Sequence, residues 1–448
     1  MTTVAVIGAG YVGLTTAACL AHLGHEVRCA EASAERVALL RAGTSPISEL
    51  GMDDLLREGL SSGRLSFGTD NARAVDGAQV VFLCVPTPQG DDGHADMSFV
   101  QAAVLSMSGA LADGAVIVNK STVPVGSAEK VKTLIGRRDV SVVSNPEFLR
   151  EGNAVYDFLN PDRIVVGSDE RWAAMRVAQL YNQLQAPVVV TSARSAETIK
   201  YASNAFLALK ASFANTMAAF CEEVGAEAGE VLRAVGMDRR IGGQFLQPGP
   251  GWGGSCLPKD TKALVAMGED AGYDVALVRS AIAVNDAQYR RVLDQLTALA
   301  GGSLCGRTVA LLGLTFKANT DDLRDSPALR LAASLNQAGA VVVAYDPAVP
   351  AGSVLPIRGC DVAGSAYEAV AGADVVGVVT EWEEFSRLDP ERLALAMASP
   401  NVLDTRCVLD REAFVAAGFT FAAIGSPSPA APQLELAGAS ALPSSAVA

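Results

Sequence analysis

Val4-Ala5-Val6-Ile7-Gly8-Ala9-Gly10-Tyr11-Val12-Gly13, continuing into the helical run 14–23, decides the fold of the first half of this chain. An apolar strand ends in glycines spaced GxGxxG, and a helix follows at once, the order of a dinucleotide fingerprint. The glycines allow a tight turn and close approach of a pyrophosphate, which then rests on the helix N-terminus. Residues 27–30 read as a second strand, and Glu31 ends it where an acid binds the adenosine ribose. An acid there repels a 2′-phosphate, so NAD is expected over NADP.

Outward from this unit, apolar strand-like runs recur at 80–85, 115–119, 140–144, 164–167 and 187–190, with helical stretches between several of them. That alternation predicts a parallel, doubly wound sheet. From Ser195 the period changes. Ile199, Ala202, Phe206, Leu209, Phe213, Met217 and Phe220 recur every three or four residues, which predicts a long amphipathic helix. Helical character continues through 231–235 and 263–296, and a second strand series follows at 308–313, 341–345 and 375–380. After Gly425 the chain turns to Ser, Pro and small residues, read as a disordered tail.

Composition narrows the function classes. Of 448 residues 50% are hydrophobic, enough for large cores, and no stretch of about twenty is uninterruptedly apolar. A chain that starts as a strand rather than as a charged signal peptide is expected in the cytoplasm, without membrane partners. A net charge of −14 argues against nucleic acid. The eight cysteines lack CxxC spacing, so neither a metal site nor a disulfide framework is expected.

One cysteine stands apart, in Gly251-Trp252-Gly253-Gly254-Ser255-Cys256-Leu257-Pro258-Lys259-Asp260. Pro258 suits the first turn of a helix, which would put Cys256 at its N-terminus. The N–H groups there are expected to lower the thiol pKa. Asp260, four residues on, would share its face. A free cysteine is commonly just a small buried hydrophobe, but the glycines before it and Lys-Asp after it are read as serving a ligand. A dinucleotide and an active thiol together narrow the reaction. An aldehyde has no C–H suited to a second hydride transfer until a thiolate adds; the thiohemiacetal can then lose hydride and become a thioester, which water cleaves. A dehydrogenase with a nucleophilic cysteine is therefore expected to make an acid. His22, His25 and His94 are the only histidines and none lies near Cys256 in sequence, so proton transfer falls to Lys, Asp and Glu.

With these residues in view, the chain resembles the UDP-glucose/GDP-mannose dehydrogenase family, specifically its bacterial UDP-glucose 6-dehydrogenases. The resemblance runs from residue 1 to about 425, through the motifs at 8–13, 86–88, 120–126, 145–152, 200–204, 238–242, 253–260, 316–327 and 404–406. It implies a four-electron oxidation of a sugar C6 alcohol to a carboxylate with NAD. Cys256 is then the nucleophile, Lys200 and Asn204 bind the C6 oxygen, Asp260 holds a water, Glu147 assists thioester hydrolysis and Thr122 positions water and nicotinamide. For NAD it implies Gly8, Gly10, Tyr11, Val12, Gly13, Glu31, Arg36, Thr87, Thr122, Glu151, Lys259 and Arg324. For the nucleotide sugar it implies Glu147, Phe148, Leu149, Arg150, Glu151, Lys200, Asn204, Phe245, Leu246, Gln247, Pro248, Gly249, Gly253, Lys317 and Arg406. Arg240 resembles an arginine that reaches a neighbouring subunit, implying a homodimer or higher homo-oligomer. The fold class expected is α/β: two Rossmann-like doubly wound parallel-sheet domains joined by a long central helix and a helical dimerisation region. The expected division is 1–194 for NAD, 195–300 for the helical region with Cys256, 301–425 for the UDP-sugar, and 426–448 for the tail. The identity of the sugar and of the first general base stay open at this stage. So do two other classes, a catalytically silent dinucleotide-binding scaffold and a two-electron hydroxyacid dehydrogenase.

Overall fold

The computed structural model describes residues 1–90 and 92–427, so all but the first two residues of the expected tail lie outside the described residues. Two compact units divide the chain: Met1–Leu207 with Ser255–Arg279 and Asn319–Asp321, and Ala208–Gly254 with Ser280–Ala318 and the remainder from Asp322.

The first unit is built on eight strands, β1 (Thr3–Ile7), β2 (Glu26–Ala30), β3 (Leu65–Gly68), β4 (Val80–Leu83), β5 (Val116–Asn119), β6 (Ser141–Ser144), β7 (Ile164–Gly167) and β8 (Val188–Thr191). Their order is β3-β2-β1-β4-β5-β6-β7-β8. From β3 to β6 every pairing is parallel; β7 joins β6 antiparallel, a departure from the all-parallel expectation. β4, β5 and β6 are buried throughout, as strands covered by helices on both faces must be. Strand order reverses between β1 and β4, and ligands of such sheets bind beyond the carboxyl ends at that switch point. Residues 8–13, 84–87, 120–122 and 145–151 follow the carboxyl ends of β1, β4, β5 and β6.

The second unit holds a six-stranded, all-parallel sheet, β9 (Thr308–Leu312), β10 (Val341–Tyr345), β11 (Cys360–Val362), β12 (Val375–Val378), β13 (Asn401–Asp404) and β14 (Thr420–Ala423). Its order, β11-β10-β9-β12-β13-β14, repeats the winding of the first six strands of the other sheet. Sequence periodicity missed β3, β11, β13 and β14.

The long helix expected from Ser195 runs Ala193–Val224, but the face read as apolar is not the buried one. Phe206, Phe213 and Phe220 are 62%, 48% and 55% exposed. The helix instead buries Ala196, Glu197, Lys200, Tyr201, Asn204, Ala208, Ser212, Ala214, Asn215 and Ala218. Small residues permit close approach, and the polar ones among them are placed where water is excluded. The helical run expected over 263–296 is two helices, Leu257–Asp270 and Ala276–Leu299, broken where Gly272 takes φ +68°. Among the described residues no helix is long and apolar enough to cross a membrane.

Candidate active site

The turn after β1 is shaped for an anion. Gly8 has φ +95°, and a Cβ there would lie 2.7 Å from the Cys84 carbonyl oxygen; one on Gly13 would lie 1.9 Å from that of Gly8. Those two glycines are demanded by packing. Gly10 is different: a Cβ on it would meet nothing within 4 Å. The helix Tyr11–His22 starts there without a side-chain cap, so a pyrophosphate can approach its first N–H groups. Glu31 accepts from the Ala9 and Ser33 amides, both at 3.0 Å, and Arg36 donates to the Ala9 carbonyl at 3.2 Å. Tyr11 donates to Ser48 O at 2.8 Å, Val12 packs against the core, and Thr87 donates to the Thr122 carbonyl at 2.8 Å. The open cradle at Gly10, with an acid and an arginine beside it, fits a dinucleotide.

The proposed catalytic side chains all belong to the first unit. Cys256 is the N-cap of the helix Leu257–Asp270, with Pro258 in the first turn as expected. Its Sγ lies 3.6 Å from Ser255 Oγ, which donates to Glu151 Oε1 at 2.8 Å. Lys200 Nζ donates to Glu147 Oε1 at 2.8 Å, and the other Glu147 oxygen accepts the Leu149 amide at 2.6 Å. Asn204, one turn after Lys200, donates to Asp260 Oδ2 at 2.6 Å, while Lys259 reaches Asp260 Oδ1 at 2.5 Å. Thr122 and Lys200 line the same small cavity. Phe148 lies under two cations, the Arg163 guanidinium at 3.7 Å and Lys200 Nζ at 5.5 Å from its centroid. Arg150 is exposed and bound to Asp157 at 2.6 Å.

Lys200 and Glu147 are both charged. Burial opposes charge on each, but the Lys200 cation holds the Glu147 carboxyl below its ordinary value. The Glu147, Cys256 and Asp260 charges in turn raise Lys200. The expectation for Cys256 is corrected. Burial pushes the thiol up; Lys200 pulls it down, but the Glu147 and Asp260 carboxylates add to the rise. A thiolate at this helix end is taken out of water beside two carboxylates, and that desolvation outweighs the help of the terminus.

The remaining residues expected to bind substrate, and Arg324 expected for NAD, are in the second unit. Phe245 has φ +63° and is 40% exposed, while Leu246 is buried. Gln247 is exposed and Pro248 partly buried. Gly249 is held at both backbone polar atoms, by Asn215 Oδ1 and Gln288 Nε2, each at 2.8 Å, and a Cβ on it would come within 3.3 Å of Arg406. Arg406 donates to the Val379 carbonyl at 2.7 Å and faces Glu381 at 3.1 Å. Lys317 Nζ lies 5.5 Å from the Phe316 centroid. Arg324 is paired with Asp322, and Arg240, 88% exposed, with Asp238, both at 2.6 Å. The glycines before Cys256 are also demanded by packing: a Cβ on Gly253 would lie 2.0 Å from the Asp325 carbonyl oxygen, and Gly254, at φ +84°, lies against the Phe316 ring. Trp252 anchors the segment through Ser212 Oγ at 2.9 Å and Asn285 Oδ1 at 2.8 Å.

Sequence reasoning gave no role to Ser255, Lys120, Asn145 or Tyr181. The available signal was Lys120 itself, a charge set directly behind the apolar run 115–119.

Comparison with known proteins bears on this site. Models of the UDP-glucose/GDP-mannose dehydrogenase family match residues 2–185 (NAD binding domain), 194–287 (central domain) and 310–411 (UDP binding domain). A UDP-glucose 6-dehydrogenase of Rhizobium meliloti is 45% identical over 434 residues, 95% of this chain and 99% of that protein. One from Pseudomonas aeruginosa is 43% identical over 94% of this chain and 97% of that one. Among solved structures, a UDP-glucose dehydrogenase from Pyrobaculum islandicum superposes with a TM-score of 0.87 at 36% identity, covering 96% of this chain and 98% of that one.

Proposed function

The chain belongs to the UDP-glucose/GDP-mannose dehydrogenase family, and from that premise we propose that it oxidises UDP-glucose to UDP-glucuronate with NAD, through a thiohemiacetal and a thioester on Cys256. The observation that carries this reading is the set of buried charges, Lys200, Glu147 and Asp260, that act on a thiol at a helix N-cap, with buried Asn204 bonded to Asp260. The 1–194, 195–300 and 301–425 regions take the roles of NAD binding, helical association and UDP-sugar binding.

Gly8, Gly10, Tyr11, Val12, Gly13, Glu31, Arg36, Thr87, Thr122, Glu151, Lys259 and Arg324 are the residues that would hold NAD, which would supply the hydride acceptor for each oxidation. Lys200 Nζ and Asn204 Nδ2 donate to the C6 oxygen, stabilising the charge that develops on it; such a donor is worth about 10²–10³ in rate. The hydroxyl proton leaves to water as the first hydride is lost; Cys256 Sγ then adds to the aldehyde carbon with its thiol proton passing to the carbonyl oxygen, and loss of a second hydride and of that proton leaves C6 as a thioester. Water attacks C6 with Glu147 taking its proton, the C–S bond breaks, and its electron pair returns to Sγ. Asp260 orients that water and Thr122 its approach. A hydroxyacid dehydrogenase would need no thiol, and a silent scaffold would need none of these buried charges.

In the second unit Lys317 and Arg406 supply cations for the diphosphate, with Gly253 and residues 245–249 shaping sugar and base recognition; in the first, Phe148, Leu149 and Arg150 are the residues proposed for the sugar. The protein is a homodimer. Phe206, Phe213 and Phe220, seven residues apart along one helix, present an apolar stripe to a second copy, and the exposed Arg240 is free to swing from Asp238 toward a neighbour's substrate. The reaction takes place in the cytoplasm, where NAD and nucleotide sugars are available.

The test is stoichiometry across UDP-glucose, GDP-mannose and UDP-N-acetylhexosamines. UDP-glucose should be oxidised fastest, with about two NADH formed per sugar. One NADH per sugar with free aldehyde as product, or a preference for another sugar, would refute the reading.

A further inference from the structure

Lys120 follows β5 and is 5% exposed. Its ammonium donates to Asn145 Oδ1 at 3.1 Å and to Tyr181 OH at 3.4 Å, two neutral acceptors. The rings of Phe158 and Tyr181 stand 5.9 and 5.6 Å from it. Tyr181 OH donates to the same Asn145 oxygen at 2.6 Å, Asn145 Nδ2 donates to the Val165 carbonyl at 2.7 Å, and the Asn145 amide to the Asn119 carbonyl at 3.0 Å. Asn145 is therefore fixed at its side-chain amide and its backbone N–H, and Glu147 stands two residues further along.

A methionine would fill this pocket without the cost of burying a charge. Burial brings the lysine down to about 8, against the pull of Cys84 and Glu147 and with the help of the Lys200 cation. The groups facing Glu147 are Lys200 and Lys120, which favour its anion, and the Cys256 and Cys84 thiols, which as thiolates would oppose it. When Lys200 turns to the C6 oxygen, Lys120 is the cation left beside that carboxylate.

We propose that Lys120 is the positioning residue of thioester hydrolysis, fixing the turn that carries Glu147 through Asn145 and Tyr181 and supplying the second positive charge that faces its carboxylate. The proposal rests on Glu147 being the group that takes the proton of the attacking water. In that step the water oxygen bonds to C6, its proton passes to Glu147, and the C–S electron pair returns to sulfur. Glu147 must be an anion for this, and the field of Lys120 keeps it so.

The test is the pH dependence of hydrolysis between about pH 5 and 9, followed as loss of the acyl adduct on Cys256 by intact mass after the full-length enzyme meets UDP-glucose and NAD. Lys120→Met should move the acid limb up by about one pH unit, an approximately tenfold slowing below the limb, with KM for UDP-glucose unchanged. Tyr181→Phe, which loosens the same turn but leaves both cations, should slow hydrolysis while leaving the limb in place. An unmoved limb in Lys120→Met, while Glu147→Gln abolishes it, overturns the proposal; so does an equal shift in Tyr181→Phe, which would mark a packing effect. Should Lys120→Met not fold, Lys120→Gln serves the same comparison, and failure of both assigns Lys120 to the fold alone. Glu147→Gln with normal hydrolysis would instead remove Glu147 as the base, a separate failure that takes this proposal with it.

Discussion

Lys200→Met removes one partner of an ion pair held at 2.8 Å between side chains only 4% and 6% exposed. Glu147 keeps the Leu149 amide at 2.6 Å and the field of Lys120, but loses the cation in contact with it. Breaking a buried pair by deleting one member costs about 3–5 kcal/mol, since the other charge stays buried. Protonation of Glu147 caps that cost, at about 1.36 kcal/mol for each pH unit its pKa has to rise. The sign with pH follows. In the intact protein Glu147 lies below its ordinary value, so its contribution to stability is present above that value and lost as pH falls through the depressed one. In the variant the carboxyl lies above its ordinary value, and stability declines as pH rises from there. The deficit should therefore be smallest below the depressed value, where Glu147 is protonated in both proteins, and reach about 3–5 kcal/mol at neutral pH. Urea unfolding followed by far-UV circular dichroism, on Lys200→Met, Glu147→Gln and the double variant, measures it. The double variant should recover at least about 1 kcal/mol of the summed losses at neutral pH. Additivity within about 0.5 kcal/mol, or a deficit independent of pH, would refute the buried pair.

Cys256→Ser should lower turnover to the acid by several orders of magnitude while NAD and UDP-glucose still bind, because serine is a far weaker acid and its ester a poor acyl donor; near-normal turnover would make the cysteine structural. Alkylation of Cys256 by iodoacetamide, resolved by peptide mapping, should keep accelerating above its ordinary thiol value of 9.0, because burial has raised it; a plateau below that pH would reverse the sign argued for the site. Gly10→Ala should leave the melting temperature unchanged and weaken NAD binding by at least about tenfold, roughly 1.4 kcal/mol, whereas Gly13→Ala should fail to fold stably because its Cβ falls 1.9 Å from the Gly8 oxygen. Equal thermal effects of the two alanines, measured by calorimetry, would contradict the distinction.

What the sequence by itself determined is local in origin. The run from Val4 to Gly13 specifies a buried strand, a turn only glycine can make and an uncapped helix, because each rests on neighbours a few residues apart. Pro258 likewise placed Cys256 at a helix start, and the long helix announced itself by period. Orientation and environment were decided only by the tertiary structure. Which face of Ala193–Val224 is buried depended on partners distant in sequence, so the phenylalanines of the apolar period lie exposed while Lys200 and Asn204 lie inside. That Gly253 and Gly254 must be glycine for packing as well depends on Asp325 and Phe316, distant in sequence and lying against them. The thiol pKa turned on desolvation beside Glu147 and Asp260, and Lys120 acquired a role through Asn145 and Tyr181. Periodicity records how a segment meets its neighbours along the chain; charge in a low-dielectric site depends on what lies across space, and that is fixed only when distant segments are packed together.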